Sequence, residues 1–257
     1  FGKIIAMTDQ GDDARQSDFS KKNFAINIAN KVDASYYPPG SDERKRRAIS
    51  KVGRYADLIY ALNPDLLHVL PKTAKFLPYG NIDLAEWLPA PAQNQKPVVL
   101  HAPTSRSAKG TEFIISAVDR IKRDGIEFEF SLIENMTNAE ARKQYGRADL
   151  LIDQLNAGWY GGLAVELMAL QKPVICYLRK DDLGFIPSGM RADLPLIQAE
   201  PGTIYDVLKN CLTTGREKLA DIGRRSRTYV EKWHEPGIVA ASVVNDYQAV
   251  QQRRARS

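Results

Sequence analysis

Three short stretches of this chain, Val98 to Ala102, Asp149 to Asp153 and Pro173 to Leu178, read as strands whose apolar residues run on continuously rather than at every second position. Side chains of a strand point alternately to its two faces, so a strand with no polar face must be covered on both sides. Between and after these runs lie segments with helical spacing. Thr111 to Arg123 places Ile114, Val118 and Ile121 on one face and is followed by Gly125 as a stop, and Gly162 to Leu170 is apolar almost throughout. Phe128 to Ile133 reads as a further strand, and helices are expected at Thr203 to Leu212, Glu217 to Trp233 and Pro236 to Gln251. The last of these carries Val239, Val243, Tyr247 and Val250 at helical intervals. Strands that alternate with helices in this way predict an α/β fold: a doubly wound parallel sheet with helices on both faces.

The front of the chain has the same rhythm in a looser form. Lys3 to Thr8 reads as a strand that runs into the polar turn Asp9-Gln10-Gly11-Asp12-Asp13. Ser41-Asp42-Glu43 reads as the capped, acidic start of a helix reaching Tyr55 and carrying Arg44, Lys45, Arg46, Arg47, Lys51 and Arg54. Strands are expected at Asp57 to Leu62 and Ala74 to Tyr79. Pro89-Ala90-Pro91-Ala92-Gln93-Asn94-Gln95-Lys96-Pro97 has no periodicity and reads as a linker. The expected domains are therefore 1–88, a linker 89–97, a second domain 98–235, and a terminal helix with a basic tail at 236–257. Because the first residues already look like a strand edge, the chain is expected to enter its first domain midway.

Composition narrows the function. No run of 18 apolar residues is present, which excludes classes built on membrane-spanning helices. Two cysteines in apolar surroundings, Cys176 and Cys211, cannot supply a disulfide framework or a cysteine zinc site, and they fit a reducing, cytoplasmic setting. His68, His101 and His234 have no metal-ligand spacing, so no metal site is expected. The net charge of +5 suits a phosphorylated ligand or an anionic membrane surface. The basic helix Arg44 to Arg54 and the tail Arg253-Arg254-Ala255-Arg256 come without a zinc-finger, helix-turn-helix or aromatic-platform pattern, so nucleic acid is not an expected partner. Such charge runs read as solvated faces, or as weak attraction to an anionic membrane surface.

In doubly wound sheets ligands bind beyond the carboxyl ends of the strands. Two loops there carry chemistry. Pro103 to Thr111 puts Arg106 and Lys109 at the entrance of a helix, where unpaired N–H groups and two cations favour an anion such as a diphosphate; otherwise both are solvated surface cations. Asn156-Ala157-Gly158-Trp159-Tyr160-Gly161-Gly162 leads into a helix whose one charge is Glu166. A carboxylate buried in such an apolar turn needs donors, which a ribose diol or an ion pair to Arg106 or Lys109 would provide. Trp159 and Tyr160 either flank a ligand or pack as loop core, and His101 lies just before the first loop.

The stretch His101-Ala102-Pro103-Thr104-Ser105-Arg106-Ser107-Ala108-Lys109-Gly110-Thr111, then Gly158 to Ala169, then Lys172-Pro173-Val174-Ile175, resembles the C-terminal domain of glycosyltransferase family 4 enzymes of GT-B fold. Ile4 to Arg15, Ala56 to Leu66 and Leu77 to Asp83 resemble the latter part of that family's N-terminal domain. The resemblance implies two Rossmann-like domains, the first incomplete, and a hexosyltransferase-type transfer of sugar from a nucleotide-diphosphate donor with retention, using no cofactor and no obligatory metal. It implies that Arg106 and Lys109 are catalytic by stabilising the leaving diphosphate, and that Arg106, Lys109, Gly110, Gly161, Gly162, Leu163 and Glu166 bind the donor. Gly11, Asp12, Asp13 and Arg15 would line the acceptor side, facing a glycan, a lipid-linked or a small-molecule acceptor; the bland reading of the same residues is a turn closing a strand. The sequence departs from the family at two places. The glutamate eight residues before Glu166 is replaced by Gly158, so that Asp153, Trp159 or backbone N–H groups would have to place the sugar, and the histidine of the first-domain loop is replaced by Gln10. These departures admit an alternative: a degenerate domain that binds nucleotide sugar without turnover.

Overall fold

The computed structural model describes residues 3–91 and 94–256. Phe1 and Gly2 at the chain start, Ala92 and Gln93 in the expected linker and Ser257 in the basic tail lie outside the described residues.

The first domain contains β1 (Ala6–Asp9), α1 (Ser17–Asn23), α2 (Ser41–Tyr55), β2 (Leu58–Ala61) and β3 (Lys75–Phe76). Its three strands form a parallel sheet in the order β1-β2-β3, with Ala6 opposite Leu58 and Tyr60 opposite Lys75. β3 pairs over only two residues of the expected Ala74 to Tyr79 stretch. Pro78, with no N–H, cannot continue the ladder.

The second domain runs β4 (Val98–His101), α3 (Arg106–Lys109), α4 (Thr111–Arg123), β5 (Glu129–Leu132), α5 (Asn138–Arg147), β6 (Leu150–Ile152), α6 (Gly162–Ala169), β7 (Val174–Cys176), α7 (Ser188–Asp193), β8 (Ile197–Gln198), α8 (Ile204–Leu212) and α9 (Leu219–Trp233). Its sheet is parallel throughout, in the order β5-β4-β6-β7-β8. Every residue of β4, β6 and β7 is buried, and neighbouring residues of each strand go to different cores. Val99, Leu150, Ile152 and Ile175 pack with α4 and α8, whereas Leu100, Leu151, Val174 and Cys176 pack with α6 and α9. This two-sided burial is the physical reason for the unbroken apolar runs, and it places Cys176 and Cys211 as free buried thiols on opposite faces.

From β4 the chain moves outward to β5 and then returns to β6 on the other side of β4. The carboxyl ends of β4 and β6 therefore flank the switch point at which such sheets open a crevice for ligands.

The terminal helix α10 (Pro236–Ala255) is longer than expected, and it crosses back to the first domain. Val239, Val243, Tyr247 and Val250 lie against Leu58, Tyr60 and Leu77. Asp246 accepts from the Tyr60 hydroxyl at 2.9 Å and from Lys75, while Arg254 donates to Asp57 at 2.7 Å. The segment expected as a helix with a solvated basic tail is thus partly used in packing. No described helix is long and apolar enough to cross a membrane.

Candidate active site

The loop after β4 folds as two helical pieces rather than the single helix entrance expected. The Ser105 hydroxyl caps the four-residue α3, which holds Arg106 and Lys109, and Gly110 closes it at φ +80° before α4 begins. A side chain at Gly110 would be strained by that φ and would press on Leu155 and Asn156 at 3.2 Å. This close approach lets the loops after β4 and β6 lock together. Leu155 N–H donates to the Lys109 carbonyl at 3.0 Å, and the Asn156 amide to the Ser107 carbonyl at 2.9 Å. His101 serves the same framework. Its Nδ1–H donates to the Ile152 carbonyl at 2.7 Å and its Nε2 meets the Thr111 hydroxyl at 2.9 Å. Burial lowers its pKa to about 4, which keeps the ring neutral, and with no exposed surface it faces no ligand.

Lys109 Nζ donates to Asp153 at 2.8 Å, and the second oxygen of Asp153 accepts the Gly161 N–H, also at 2.8 Å. Gly161 is the N-cap of α6, so the N–H groups of Gly162 and Leu163 form the open first turn that every helix start leaves without backbone partners. Glu166 lies one turn further along. Among the described residues its half-buried carboxylate makes no hydrogen bond or ion pair, so neither pairing weighed from the sequence, to Arg106 or to Lys109, is formed. Burial raises its pKa, opposed by the charge of Arg142.

Arg106 instead holds Glu134 in a two-pronged pair at 2.8 and 2.6 Å, and it keeps the Glu134 pKa below the usual carboxylate range. The pair stands on the wall of a cleft of about 710 Å³, together with Pro103, Thr104, Asn135 and Tyr145. Burial and the charge of Glu166 both raise the pKa of Tyr145.

The side chains expected to stand in for the missing glutamate are enclosed. Trp159 and Tyr160 have no exposed surface and pack as loop core, and the Asp153 side chain is fully buried between Lys109 and Gly161. At Gly158 φ is +83°, and a Cβ there would fall 2.7 to 2.9 Å from the Arg179 guanidinium. Arg179 is buried, donates to Asp182 at 2.6 Å and to the Ile26 carbonyl at 3.0 Å, and stacks 3.7 Å from the Phe24 ring.

In the first domain Gln10 precedes a turn over Gly11 to Asp13, with Gly11 at φ +69°. Asp13 accepts the N–H groups of Gln10 at 2.7 Å and of Ala14 at 2.8 Å, as a strand-closing turn requires. Asp12 accepts from Arg15 at 3.0 Å and from the hydroxyls of Tyr36 and Tyr37 at 2.6 Å. Burial pushes the Asp12 pKa up, but the Arg15 charge and the two hydroxyls outweigh it and hold the group ionised. Arg15 itself is buried and forked onto Asp65 at 2.7 and 3.2 Å. The segment that bears both tyrosines also carries Ile28, which packs on Ala108 and Ala157 beside the second-domain loops. Glu134 and the Asp182–Arg179 pair did not emerge from the sequence; Asp153 could be read there as a carboxylate at the end of a buried strand. Among the described residues, no three His, Cys, Asp or Glu side chains converge as a metal site.

No protein-family model and no curated protein matches the chain in sequence. Solved structures match it in shape. Sucrose-phosphate synthase from Thermosynechococcus elongatus superposes with a TM-score of 0.58 at 15% identity, over 87% of this chain and 65% of that one. Anabaena HepE in complex with UDP-glucose gives 0.59 at 14% identity, over 84% of this chain and 69% of that one. A glycosyltransferase from Rickettsia africae gives 0.53 at 10% identity, over 98% and 99%. The chain thus spans 65% and 69% of the first two structures. At these identities the likeness establishes architecture, and the chain shares the parallel α/β arrangement of GT-B glycosyltransferases.

Proposed function

We propose that the chain binds a nucleoside-diphosphate sugar at the carboxyl end of its second sheet and transfers the sugar to an acceptor held against the first domain. The observation that carries this reading is Glu166: a half-buried carboxylate without a partner, one turn from the open start of α6. A ribose diol supplies the two hydroxyl donors it lacks. The diphosphate would then lie over the N–H groups of Gly162 and Leu163, where the helix end favours negative charge, with Lys109 beside it. Arg106 is available if it exchanges Glu134 for a phosphate oxygen, like for like in charge.

In this reading the bond between the sugar's anomeric carbon and the diphosphate oxygen breaks, and the electron pair leaves with the diphosphate. Lys109 and the first turn of α6 would stabilise that charge, joined by Arg106 once it leaves Glu134, and an acceptor hydroxyl closes on the same carbon and loses its proton. Retention of configuration and independence of metal follow from the resemblance to family 4. The acceptor is a glycan, a lipid-linked or a small molecule, met on the Gly11-Asp12 side. The exposed face of α2, where Arg46, Arg47, Lys51, Arg54 and Tyr55 line an open groove, supports peripheral contact with an anionic membrane on the cytoplasmic side.

Calorimetric titration with UDP tests the site. Arg106→Ala, Lys109→Ala and Glu166→Ala should each weaken binding by roughly 1.5 to 3 kcal/mol, the worth of a charge-assisted hydrogen bond. Unchanged affinity in all three would overturn the assignment. One observation favours a binding-only module instead: Gly158 presents no acidic side chain, and Arg179 occupies the space it would need. Donor that is bound but never consumed, with every acceptor class supplied, would decide for that module.

A further inference from the structure

We infer that Asp153 is a positioning residue that aims the Lys109 ammonium at the donor diphosphate and fixes it to the start of α6. The inference rests on the donor-site reading above and adds to it a residue that touches no ligand.

Asp153 follows β6 directly, and its side chain has no exposed surface. A carboxylate buried to that degree is retained only if donors surround it. It has two, and they come from different loops: Lys109 Nζ on one oxygen and the Gly161 N–H on the other, both at 2.8 Å. One carboxylate therefore sets the distance between the cation after β4 and the N-cap of α6. Lys109 has three N–H donors, and Asp153 takes one, which leaves two for an anion; the side chain keeps 15% exposure. A lysine stem left free must lose rotamer entropy when it grips an anion, and a stem already pinned has lost it on folding.

Two further features separate aim from mere scaffolding. The Leu155–Lys109 backbone bond and the Asn156–Ser107 bond hold the two loops together without the carboxylate, so the loops do not depend on Asp153 for their docking. A Cβ at Gly161 would stand 3.4 Å from Lys109 Nζ and 3.7 and 3.8 Å from the Asp153 oxygens, ordinary contact distances that set the pair directly against the start of α6.

The test is a double-mutant cycle on UDP affinity with a measurement that needs no nucleotide. Asp153→Asn keeps the shape and one acceptor but removes the charge, and it should weaken UDP about tenfold in a chain that circular dichroism shows still folded at the assay temperature. Lys109→Met should weaken UDP at least as much, and the double variant should be no weaker than Lys109→Met within about twofold, because Asp153 acts only through the lysine. In parallel, side-chain ammonium NMR of the nucleotide-free chain should show an ordered, slowly exchanging Lys109 signal that disappears in Asp153→Asn. An Asp153→Asn variant that binds UDP as tightly as the parent or more tightly, losses that add in the double variant, or a Lys109 signal that survives the substitution each overturns the inference. Loss of the signal while Lys109→Met leaves UDP binding intact would instead sustain the positioning role and sink the donor-site reading.

Discussion

His101 and His234 are both buried without exposed surface, and each ring is hydrogen-bonded through both nitrogens. The carbonyl of Tyr79 can only accept, so His234 Nδ1 carries the proton and Nε2 accepts from the Tyr160 hydroxyl, which in turn meets Tyr229. Burial lowers the His234 pKa to about 4. The unfolded ring takes up a proton near pH 6.5 and the folded ring resists it, so this contribution is complete above 6.5 and drains away as pH falls toward 4. At pH 5 the loss is about 2 kcal/mol, 1.36 per unit below 6.5. His234→Gln should therefore cost stability at pH 7 and show a shallower decline between pH 6.5 and 4 than the parent in denaturant titrations; an equally steep decline would contradict this account. The candidate cations and Glu166 were legible at this scale because a strand end followed by a helix start is a local pattern. Their counter-ions were not. Glu134 and Asp153 reach Arg106 and Lys109 from positions 28 and 44 residues away, a pairing that only the sheet order creates.

The elements most legible in the sequence are those whose burial is repeated at a regular interval. α4 was expected at Thr111 to Arg123 and is found there, with Ile114, Val118 and Ile121 buried. α5 has no apolar stripe to mark it in the sequence because it buries only Ala141 and Tyr145, and its start is fixed instead by a capping box between Thr137 and Glu140. The apolar face of α10 was visible, but its partner was not: Tyr60 and Asp246 are 186 residues apart. Asp246→Ala should leave the buried Tyr60 hydroxyl unpaired and cost about 1 to 2 kcal/mol. The loss should appear in the denaturation midpoint, together with faster amide exchange along Val239 to Val250. An unchanged midpoint would mean that the apolar face alone docks the helix.

At the scale of the whole molecule, two parallel sheets are tied together on several sides of the candidate site. α10 returns to the first sheet, and the Tyr229–Tyr160–His234–Tyr79 chain joins the loop before α6 to α9 and to the segment after β3. Elsewhere, His68 meets Asp182 at 2.9 Å and Arg179 reaches the Ile26 carbonyl. The doubly wound class followed from the apolar runs; these ties did not, because each joins residues far apart in the chain. The central claim is that nucleotide binds where β4 and β6 diverge, and amide hydrogen exchange with and without saturating UDP tests it most directly. The account predicts slowed exchange at Gly162 and Leu163 and along Thr104 to Gly110, with no change around the second cleft of about 510 Å³ lined by Pro91, Lys172, Arg216 and Arg224. Protection confined to that second cleft, or none at saturating UDP, would contradict it.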